Sequence, residues 1–242
     1  MREAFVRTAA VLGTDALETL QNKHVAVFGL GGVGAACSET LARCGVGKLS
    51  LIDGDVVQES NLNRQLIALH STIAQDKTEA AAARLKDINP DIRLSLYQLF
   101  FDGDSAQKVE IASCDYIVDA IDTVTSKLLI AQIARAHSIP IIACMGMGNK
   151  VDPAKLRFAD IYDTSVCPLC REVRKLARKA GIDGLEVLFS TEKPVTHSAL
   201  AMPGGRHVPG SVPFLPPVAG MMIAGKVILQ LSGFSADSSA MR

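Results

Sequence analysis

A glycine-rich run, Gly29-Leu30-Gly31-Gly32-Val33-Gly34, follows the apolar segment His24–Phe28 and precedes a predicted helix. A second apolar segment, Lys48–Ile52, ends at Asp53. Glycines allow a tight turn and a close approach of the backbone to a phosphate, and the helix presents free N–H groups and the positive end of its dipole. A carboxylate at the tip of the second strand can accept hydrogen bonds from ribose hydroxyls. This order of elements predicts a nucleotide-binding site, for which NAD and ATP are both candidate ligands.

Five polar side chains outside this unit bear on the choice of nucleotide. Asn61 and Arg64 lie in the loop after the second strand, and Lys77 begins the next helix. Asp122 follows a buried strand, and Arg7 lies in the N-terminal segment. Cations neutralise a triphosphate, and a carboxylate can hold the magnesium ion that bridges phosphate oxygens while charge moves to the leaving pyrophosphate. The set therefore favours an adenylating enzyme over an NAD-dependent oxidoreductase, which needs none of these groups.

Each of these residues also has a structural interpretation. Asp122 could cap the helix that follows it, because aspartate is a favoured N-cap residue. Lys77 could be an ordinary surface lysine, and Arg64 a solvated loop arginine. Arg7 could belong to a disordered terminus. The neighbouring Asp55 is expected to support its loop rather than to contact the ligand.

The alternation of strand-like and helix-like segments predicts an α/β fold that would position these groups. We expect a Rossmann-like, doubly wound, mostly parallel sheet in residues 1–150, which form the ATP-binding adenylation domain. Residues 151–242 are expected to form an irregular C-terminal extension with antiparallel strands, packed on that domain at the substrate side. The predicted strands are 25–28, 49–52, 93–99, 116–120, 140–144, 156–161 and 185–190. The predicted helices are 33–44, 76–88, 105–112, 124–137, 168–180 and 217–231, with a crossover loop over 191–217.

The composition narrows the class of protein. The chain has 242 residues, with 25 basic and 25 acidic side chains, which argues against binding nucleic acid through bulk electrostatics. Six cysteines and no signal-peptide pattern before Thr14 favour a reduced, cytoplasmic protein. The apolar stretch 212–231 contains three prolines and Lys226. We therefore interpret it as a buried helix and expect no association with a membrane.

The motifs GLGGVG, LIDGD, SNLNRQ and DAIDT, together with Lys77, are similar in order and spacing to those of a known superfamily. This is the ubiquitin-activating-like adenylating superfamily, which includes the MoeB and ThiF proteins. The resemblance covers residues 5–150. It implies that Arg64 and Lys77 bind the phosphates of ATP, with Asn61 near them.

The same resemblance implies roles for three further residues. Asp53 would bind the ribose, and Asp122 would hold magnesium. Arg7 would reach the triphosphate of the neighbouring subunit. That last role would make a homodimer necessary for catalysis.

The C-terminal third distinguishes between branches of the superfamily. MoeB- and ThiF-type enzymes adenylate the C-terminal glycine of a ubiquitin-like sulfur-carrier protein, and usually have two Cys-x-x-Cys pairs that hold zinc. This chain has only the pair Cys167 and Cys170, whereas tetrahedral zinc needs four ligands. His197 and His207 could complete a Cys₂His₂ set, but their spacing is not typical of one, so we do not expect zinc. The two thiols favour a structural role, with a redox or nucleophilic role of Cys170 as the alternative.

The segments Leu188–Glu192 and Gly210–Phe214, followed by Val218-Ala219-Gly220, resemble the tRNA threonylcarbamoyladenosine dehydratases. That resemblance implies ATP- and Mg²⁺-dependent adenylation of the side-chain carboxylate of N6-threonylcarbamoyladenosine in tRNA, followed by cyclisation with loss of water. It leaves open a monovalent cation and a partner protein that relays sulfur or electrons. Adenylation of a sulfur-carrier protein is the alternative function.

A tRNA substrate needs a basic surface on the protein. Five basic side chains fall at helical spacings of three and four in the helix after Cys170, and Glu172 is the one acidic residue among them. We expect this face to contact phosphates, with a merely solvated face as the alternative. The five residues are Arg171, Arg174, Lys175, Arg178 and Lys179.

Overall fold

The computed structural model describes residues 2–195 and 209–234. Seven strands form one sheet in the order β3-β2-β1-β4-β5-β7-β6. The strands are β1 His24–Phe28, β2 Lys48–Ile52, β3 Arg93–Tyr97, β4 Tyr116–Asp119, β5 Ile141–Cys144, β6 Leu156–Asp160 and β7 Glu186–Ser190. The helices are α1 Val6–Leu12, α2 Thr14–Gln21, α3 Gly32–Arg43, α4 Lys77–Ile88, α5 Val124–Ala136, α6 Pro168–Lys179 and α7 Leu215–Ser232.

The pairing of the strands confirms the predicted Rossmann-like, mostly parallel sheet. β1 lies between β2 and β4 and is parallel to both, and β5 is parallel to β4 and β7. Among the seven strands of the described residues, only β6 is antiparallel, paired with β7, so the expected antiparallel element of the extension is confirmed. The chain moves outward from β1 to β3 and then returns to β4 on the other side. Such a reversal opens a crevice beyond the carboxyl ends of the strands.

Successive side chains of β1 point to opposite faces of the sheet, and each face is covered by a different set of helices. Val25 and Val27 join a core with buried residues of α2, α3, α4 and α7. Ala26 and Phe28 point the other way, into a core with α5. Successive side chains of a strand face opposite sides, so a strand that is apolar at every position must be covered twice. All five residues of β1 are buried, as a doubly wound sheet requires.

α7 is the one helix of the described residues that is long and apolar enough to cross a membrane by length and composition. It packs along α3, and Ala219, Ile223 and Val227 are buried there. A Cβ on Gly220 would lie 2.2 Å from the Val33 carbonyl oxygen, so the two helix backbones nearly touch. Lys226 forms an ion pair with Glu186 of β7. The prediction of a buried helix is confirmed, and packing on α3 accounts for its apolar character.

Two parts of the prediction require correction. The expected helix over 105–112 is only a single 3₁₀ turn, Ala106–Lys108. The Asp102 carboxylate accepts hydrogen bonds from two nearby backbone amides, and the Ser105 hydroxyl donates to the Phe100 carbonyl. Such local side-chain bonds compete with a helical backbone. At the N-terminus, α1 and α2 are helices that the sequence analysis did not identify.

The extension continues the sheet of the first domain, because β6 and β7 are added next to β5. The boundary at residue 150 remains a prediction. α7 begins at Leu215, two residues earlier than expected. Of the predicted crossover loop, residues 196–208 lie outside the described part of the chain.

Candidate functional site

A cleft of about 370 Å³ lies beyond the carboxyl ends of β1, β2 and β4. The loops that follow these three strands meet there with the start of α4 and the start of α5. Most of the predicted nucleotide-binding residues line this cleft together. They are Gly29, Gly31, Gly32, Asp53, Asn61, Arg64, Lys77 and Asp122.

Three glycines of the loop are required by contacts within the protein. Gly29 has φ +84°, and a Cβ on it would lie 2.8 Å from the Ala120 carbonyl oxygen. A Cβ on Gly34 would lie 1.8 Å from the Gly29 carbonyl oxygen, and one on Gly32 would lie 2.8 Å from Cβ of Pro216. These close approaches let β1, β4 and α3 meet. Gly34 has this packing role and does not line the cleft, and its predicted contact with the nucleotide stays a prediction.

Gly31 differs from the other glycines of the loop. It is the N-cap residue of α3, and the nearest protein atom to an added Cβ would be Nε2 of Gln65, at 3.9 Å. The protein therefore leaves space at this position, in the cleft and beside the unpaired N–H groups of the helix start. An anion placed there would meet both those groups and the positive end of the helix dipole.

Asp53 links the end of β2 to the glycine-rich loop. Its Oδ2 accepts a hydrogen bond from the Leu30 amide at 2.6 Å, and its Oδ1 accepts one from the Asp55 amide at 2.8 Å. Burial raises the pKa of the Asp53 carboxyl, and the ammonium group of Lys77 opposes that shift. Each carboxylate oxygen can accept more than one hydrogen bond. The side chain can thus hold the loop and still accept hydrogen bonds from ribose hydroxyls.

Lys77 is 6% exposed, so its interpretation as a surface lysine is wrong. It is the first residue of α4, and its Nζ lies 2.8 Å from Oδ2 of Asp55 and 3.8 Å from Oδ1 of Asp53. Two carboxylates therefore hold a mostly buried cation at the wall of the cleft. Asp55 contacts Lys77, in addition to supporting its own loop.

Asn61 and Arg64 occupy a tight turn after β2. Oδ1 of Asn61 accepts a hydrogen bond from the Gln58 amide, and the Asn61 carbonyl accepts one from the Arg64 amide. Nη1 of Arg64 donates to the Ser60 carbonyl at 3.0 Å and to Oδ1 of Asn63 at 2.7 Å. A guanidinium group has five N–H donors, so others remain for a phosphate.

Asp122 is exposed and lines the cleft after β4. The N-cap residue of α5 is Thr123, and its side chain makes no capping hydrogen bond, so the interpretation of Asp122 as a helix cap is wrong. In residues 2–195 and 209–234, no group of three or more His, Cys, Asp or Glu side chains could hold a metal ion by itself. A single carboxylate at the cleft fits magnesium, which is commonly held by one or two carboxylates together with substrate phosphates.

Two features of this region were not identified as functional from the sequence. Gln65 lines the cleft and is buried, and its Oε1 has no hydrogen-bond partner in the protein. Its place in the SNLNRQ motif was the available signal. Beneath the cleft, Nζ of Lys127 lies 3.1 Å from Asp119 and donates to the Cys144 carbonyl at 2.8 Å. The signal in the sequence was weak: Asp119 and Lys127 are two charged residues, eight positions apart, in otherwise apolar surroundings.

Arg7 lies on α1, is exposed, and does not line the cleft of its own chain. Its interpretation as part of a disordered terminus is wrong, because the segment is helical. A contact with a neighbouring subunit's nucleotide stays a prediction.

α6 has the predicted basic residues, but they do not have equal surroundings. Nη1 of Arg174 donates to the Thr164 carbonyl at 2.7 Å and to its hydroxyl at 2.8 Å. Arg178 lies over the ring of Tyr162, 5.2 Å from its centroid. These two guanidinium groups have structural contacts. The exposed cations that remain on this helix are Arg171, Lys175 and Lys179.

Cys167 and Cys170 are buried free thiols at the start of α6. The two histidines considered as further zinc ligands, His197 and His207, lie outside the described residues.

Comparison with known proteins agrees with this geometry. The ThiF family matches residues 5–241. The tRNA threonylcarbamoyladenosine dehydratase of Bacillus subtilis is 37% identical over 242 residues, covering 96% of this chain and 95% of the relative. The Escherichia coli dehydratase is 33% identical, covering 79% of this chain and 74% of the relative. The E. coli molybdopterin-synthase adenylyltransferase is 36% identical, but covers 53% of this chain and 51% of the relative.

A crystal structure of the E. coli tRNA N6-threonylcarbamoyladenosine dehydratase in complex with ATP has a TM-score of 0.86 and 30% identity. The alignment covers 100% of this chain and 97% of the E. coli chain. The same enzyme in complex with AMP has a TM-score of 0.87, with the same identity and coverage. These similarities confirm the predicted resemblance and the fold class. The chain belongs to the ThiF family.

Proposed function

We propose that this protein uses ATP to adenylate the side-chain carboxylate of N6-threonylcarbamoyladenosine in tRNA, and that ring closure with loss of water follows. The observation that carries the proposal is the grouping of Arg64, Lys77 and Asp122 around the space left by Gly31. Similarity to the dehydratases along almost the whole chain supports the choice of substrate.

In the first step, a carboxylate oxygen of the substrate attacks the α-phosphorus of ATP, and the bond to the β-phosphate oxygen breaks. Pyrophosphate leaves and an acyl-adenylate remains. Arg64 and Lys77 offset the negative charge of the phosphates, and the start of α3 offers N–H groups to them. Asp122 would hold magnesium, which when bound supplies further neutralisation of the charge on the leaving pyrophosphate.

In the second step, a group within the same modified nucleoside attacks the acyl carbon, and AMP leaves. No external nucleophile is needed for this ring closure. The nucleoside has then lost one molecule of water, whose oxygen leaves with AMP. The protein contributes by holding the acyl-adenylate in the cleft and away from solvent water.

Adenylation of a sulfur-carrier protein is the second candidate, because it uses the same first step and the same residues. The molybdopterin-synthase adenylyltransferase covers 53% of this chain, whereas the B. subtilis dehydratase covers 96%. The wider match of the dehydratases makes tRNA the preferred substrate class.

The active unit we propose is a homodimer in the cytoplasm, in which Arg7 of one subunit reaches the triphosphate in the cleft of the other. The exposed position of Arg7 on α1, away from its own cleft, supports this arrangement. A relay partner for sulfur or electrons and a bound monovalent cation remain predictions.

The proposed reaction can be tested by ATP–pyrophosphate exchange with and without tRNA that has N6-threonylcarbamoyladenosine. We expect exchange only with that tRNA, together with loss of one water mass from the nucleoside. Asp122→Asn should lower exchange at least about 100-fold, the usual cost of removing one group that stabilises transition-state charge. Asp87→Asn, at an exposed position of α4, is the matched control. No exchange with competent tRNA, but exchange with a small protein ending in Gly-Gly, would favour the sulfur-carrier function.

Two glycine variants separate contact with the nucleotide from packing. Gly31→Ala should keep its thermal stability but lose roughly tenfold or more in ATP affinity, because its Cβ would occupy space that a phosphate needs. Gly34→Ala should instead lose about 1–3 kcal/mol in the free energy of unfolding, because its Cβ would overlap the Gly29 carbonyl. Calorimetric titration and thermal unfolding measure the two effects. Undiminished ATP binding by Gly31→Ala would show that no phosphate group of ATP occupies the space beside Gly31.

The contribution of Arg7 from the partner subunit can be tested by mixing inactive chains. Arg7→Ala and Arg64→Ala should each abolish exchange as homodimers. A mixed dimer has one cleft with both arginines intact, so equal mixing with random pairing should restore about one quarter of the parent activity. The measurement is exchange activity after joint refolding of the two variants. If activity is not restored although mixed dimers form, Arg7 acts within its own chain.

The role of the α6 cations can be tested through the salt dependence of tRNA binding. The double variant Arg171→Gln with Lys175→Gln should reduce the slope of log affinity against log salt by about 1 to 2, because each phosphate contact contributes about 0.7–0.9. Arg93→Gln with Lys108→Gln removes the same two residue types at exposed positions elsewhere and should leave the slope unchanged. Equal slopes for both double variants and the parent would identify α6 as a solvated face.

A further inference from the structure

The adenylation chemistry uses neither Cys167 nor Cys170, although the two thiols lie in the first turn of α6. Cys167 is the N-cap residue, and Cys170 is the third residue of the helix. Residues three apart in a helical turn have Cα atoms about 5 Å apart. That separation falls within the range that a disulfide bridges. Both thiols are free, so the pair can be oxidised without a large movement of the backbone.

A buried lysine, Lys150, lies near enough for its charge to act on both thiols, and it has no acidic partner among the described residues. Lys150 is 2% exposed, and its Nζ donates to the Gly146 carbonyl at 2.8 Å. Within the described ranges it forms no ion pair with a carboxylate. The nearby buried acid, Glu192, accepts hydrogen bonds from the Val151 and Asp152 amides instead. A buried ammonium group is costly unless an anion compensates it.

The anion that this site offers is the thiolate of Cys167. The neighbouring Cys170 thiol lowers the pKa of Cys167, burial raises it, and the backbone amides of Cys170 and Leu169 and the charge of Lys150 lower it further. The same interactions within the pair raise the pKa of Cys170. The opposite directions of the two shifts favour Cys167 as the nucleophile and Cys170 as its protonated partner.

The residue before Cys167, Val166, has a strained backbone conformation in the turn that precedes α6. Val166 has φ +63°, a region that β-branched residues rarely occupy, and its side chain is 48% exposed. Such a conformation costs energy that surrounding contacts must offset. Here the Cys167 amide donates to the Ser165 carbonyl at 2.6 Å and closes the turn. Cys167 is 3% exposed, so a small oxidant would reach its sulfur only if this exposed turn opened, which would also relieve the strain.

We propose that Cys167 and Cys170 form a redox-active dithiol, in which Cys167 is the attacking thiolate and Lys150 is the cation that positions it. With a peroxide as oxidant, the Cys167 sulfur attacks one oxygen, the O–O bond breaks, and hydroxide leaves. The product is a sulfenic acid at Cys167. Cys170 then attacks that sulfur, giving up its thiol proton as water leaves. Two thiols are oxidised to one disulfide, and one hydrogen peroxide is reduced to two waters.

The test is peptide mass spectrometry of the folded protein after treatment with hydrogen peroxide, alkylation under denaturing conditions, and trypsin. The peptide 158–171 contains both thiols and should lose two hydrogens without being alkylated. Dithiothreitol should restore the alkylated form. The buried thiols of Cys37, Cys114 and Cys144 are internal controls and should remain reduced. Absence of the disulfide, or oxidation of Cys167 directly to sulfonic acid, would overturn the proposal.

Variants of Lys150 test the positioning cation. Lys150→Gln should slow disulfide formation at least tenfold and move its pH–rate profile to higher pH, whereas Lys150→Arg should keep the parent rate. Lys155→Gln, at an exposed lysine of the same loop, is the matched control. If Lys150→Gln does not fold, Cys170→Ser provides an independent test, because it should stop at a sulfenic acid that dimedone traps. Equal rates with and without the Lys150 charge, or no trapped sulfenic acid, would contradict the assignment.

Discussion

The cleft depends on the close approach of three backbones at the ends of β1 and β4 and the start of α3. Gly29 and Gly34 make this approach possible, because any side chain at either position would overlap a carbonyl oxygen. The contact places the start of α3 and the end of β4 at the same crevice. Asp122 and Gly31 consequently line one space, although 91 residues separate them in sequence. The space at Gly31, where we propose that a phosphate binds, is thus created by a packing constraint within the protein.

Ion pairs at and beneath the cleft fix the positions of two lysine side chains. Lys77 is held by Asp53 and Asp55, and Lys127 by Asp119 beneath the cleft. Buried ion pairs contribute little net stability, because desolvation offsets most of their attraction, but they fix where the charges lie. Asp55 is half exposed, so solvent can reach its bond to Lys77. Asp119 is fully buried, so its pair with Lys127 is a permanent support. The outer ion pair therefore lines the cleft, whereas the inner one does not.

The sequence predicted the site well where geometry follows from strand order. Parallel strands bring their carboxyl ends to one edge, so Asp53 and Asp122 could be placed together from their positions alone. Burial of Lys77 could not be predicted, because it depends on a carboxylate that reaches it from another loop. The predicted helix over 105–112 is reduced to a single 3₁₀ turn because Asp102 and Ser105 bond to nearby backbone groups, which helix propensity alone did not reveal. The strained backbone conformation of Val166 could not be predicted from composition or periodicity, because the turn in which it lies imposes it.

Residues of the predicted C-terminal extension contact loops beside the cleft, which bears on how the binding of substrate and nucleotide can be coupled. Nδ2 of Asn63 donates to the Ser211 carbonyl at 3.0 Å, while Oδ1 of the same side chain accepts from Arg64 at 2.7 Å. Pro216, at the start of α7, lies against Gly32 of the glycine-rich loop. The extension thus contacts Asn63, whose side chain accepts a hydrogen bond from Arg64, and the glycine-rich loop that lines the cleft. A displacement of Ser211 would move the amide that holds the Arg64 guanidinium, so the position of that cation depends on both parts of the chain.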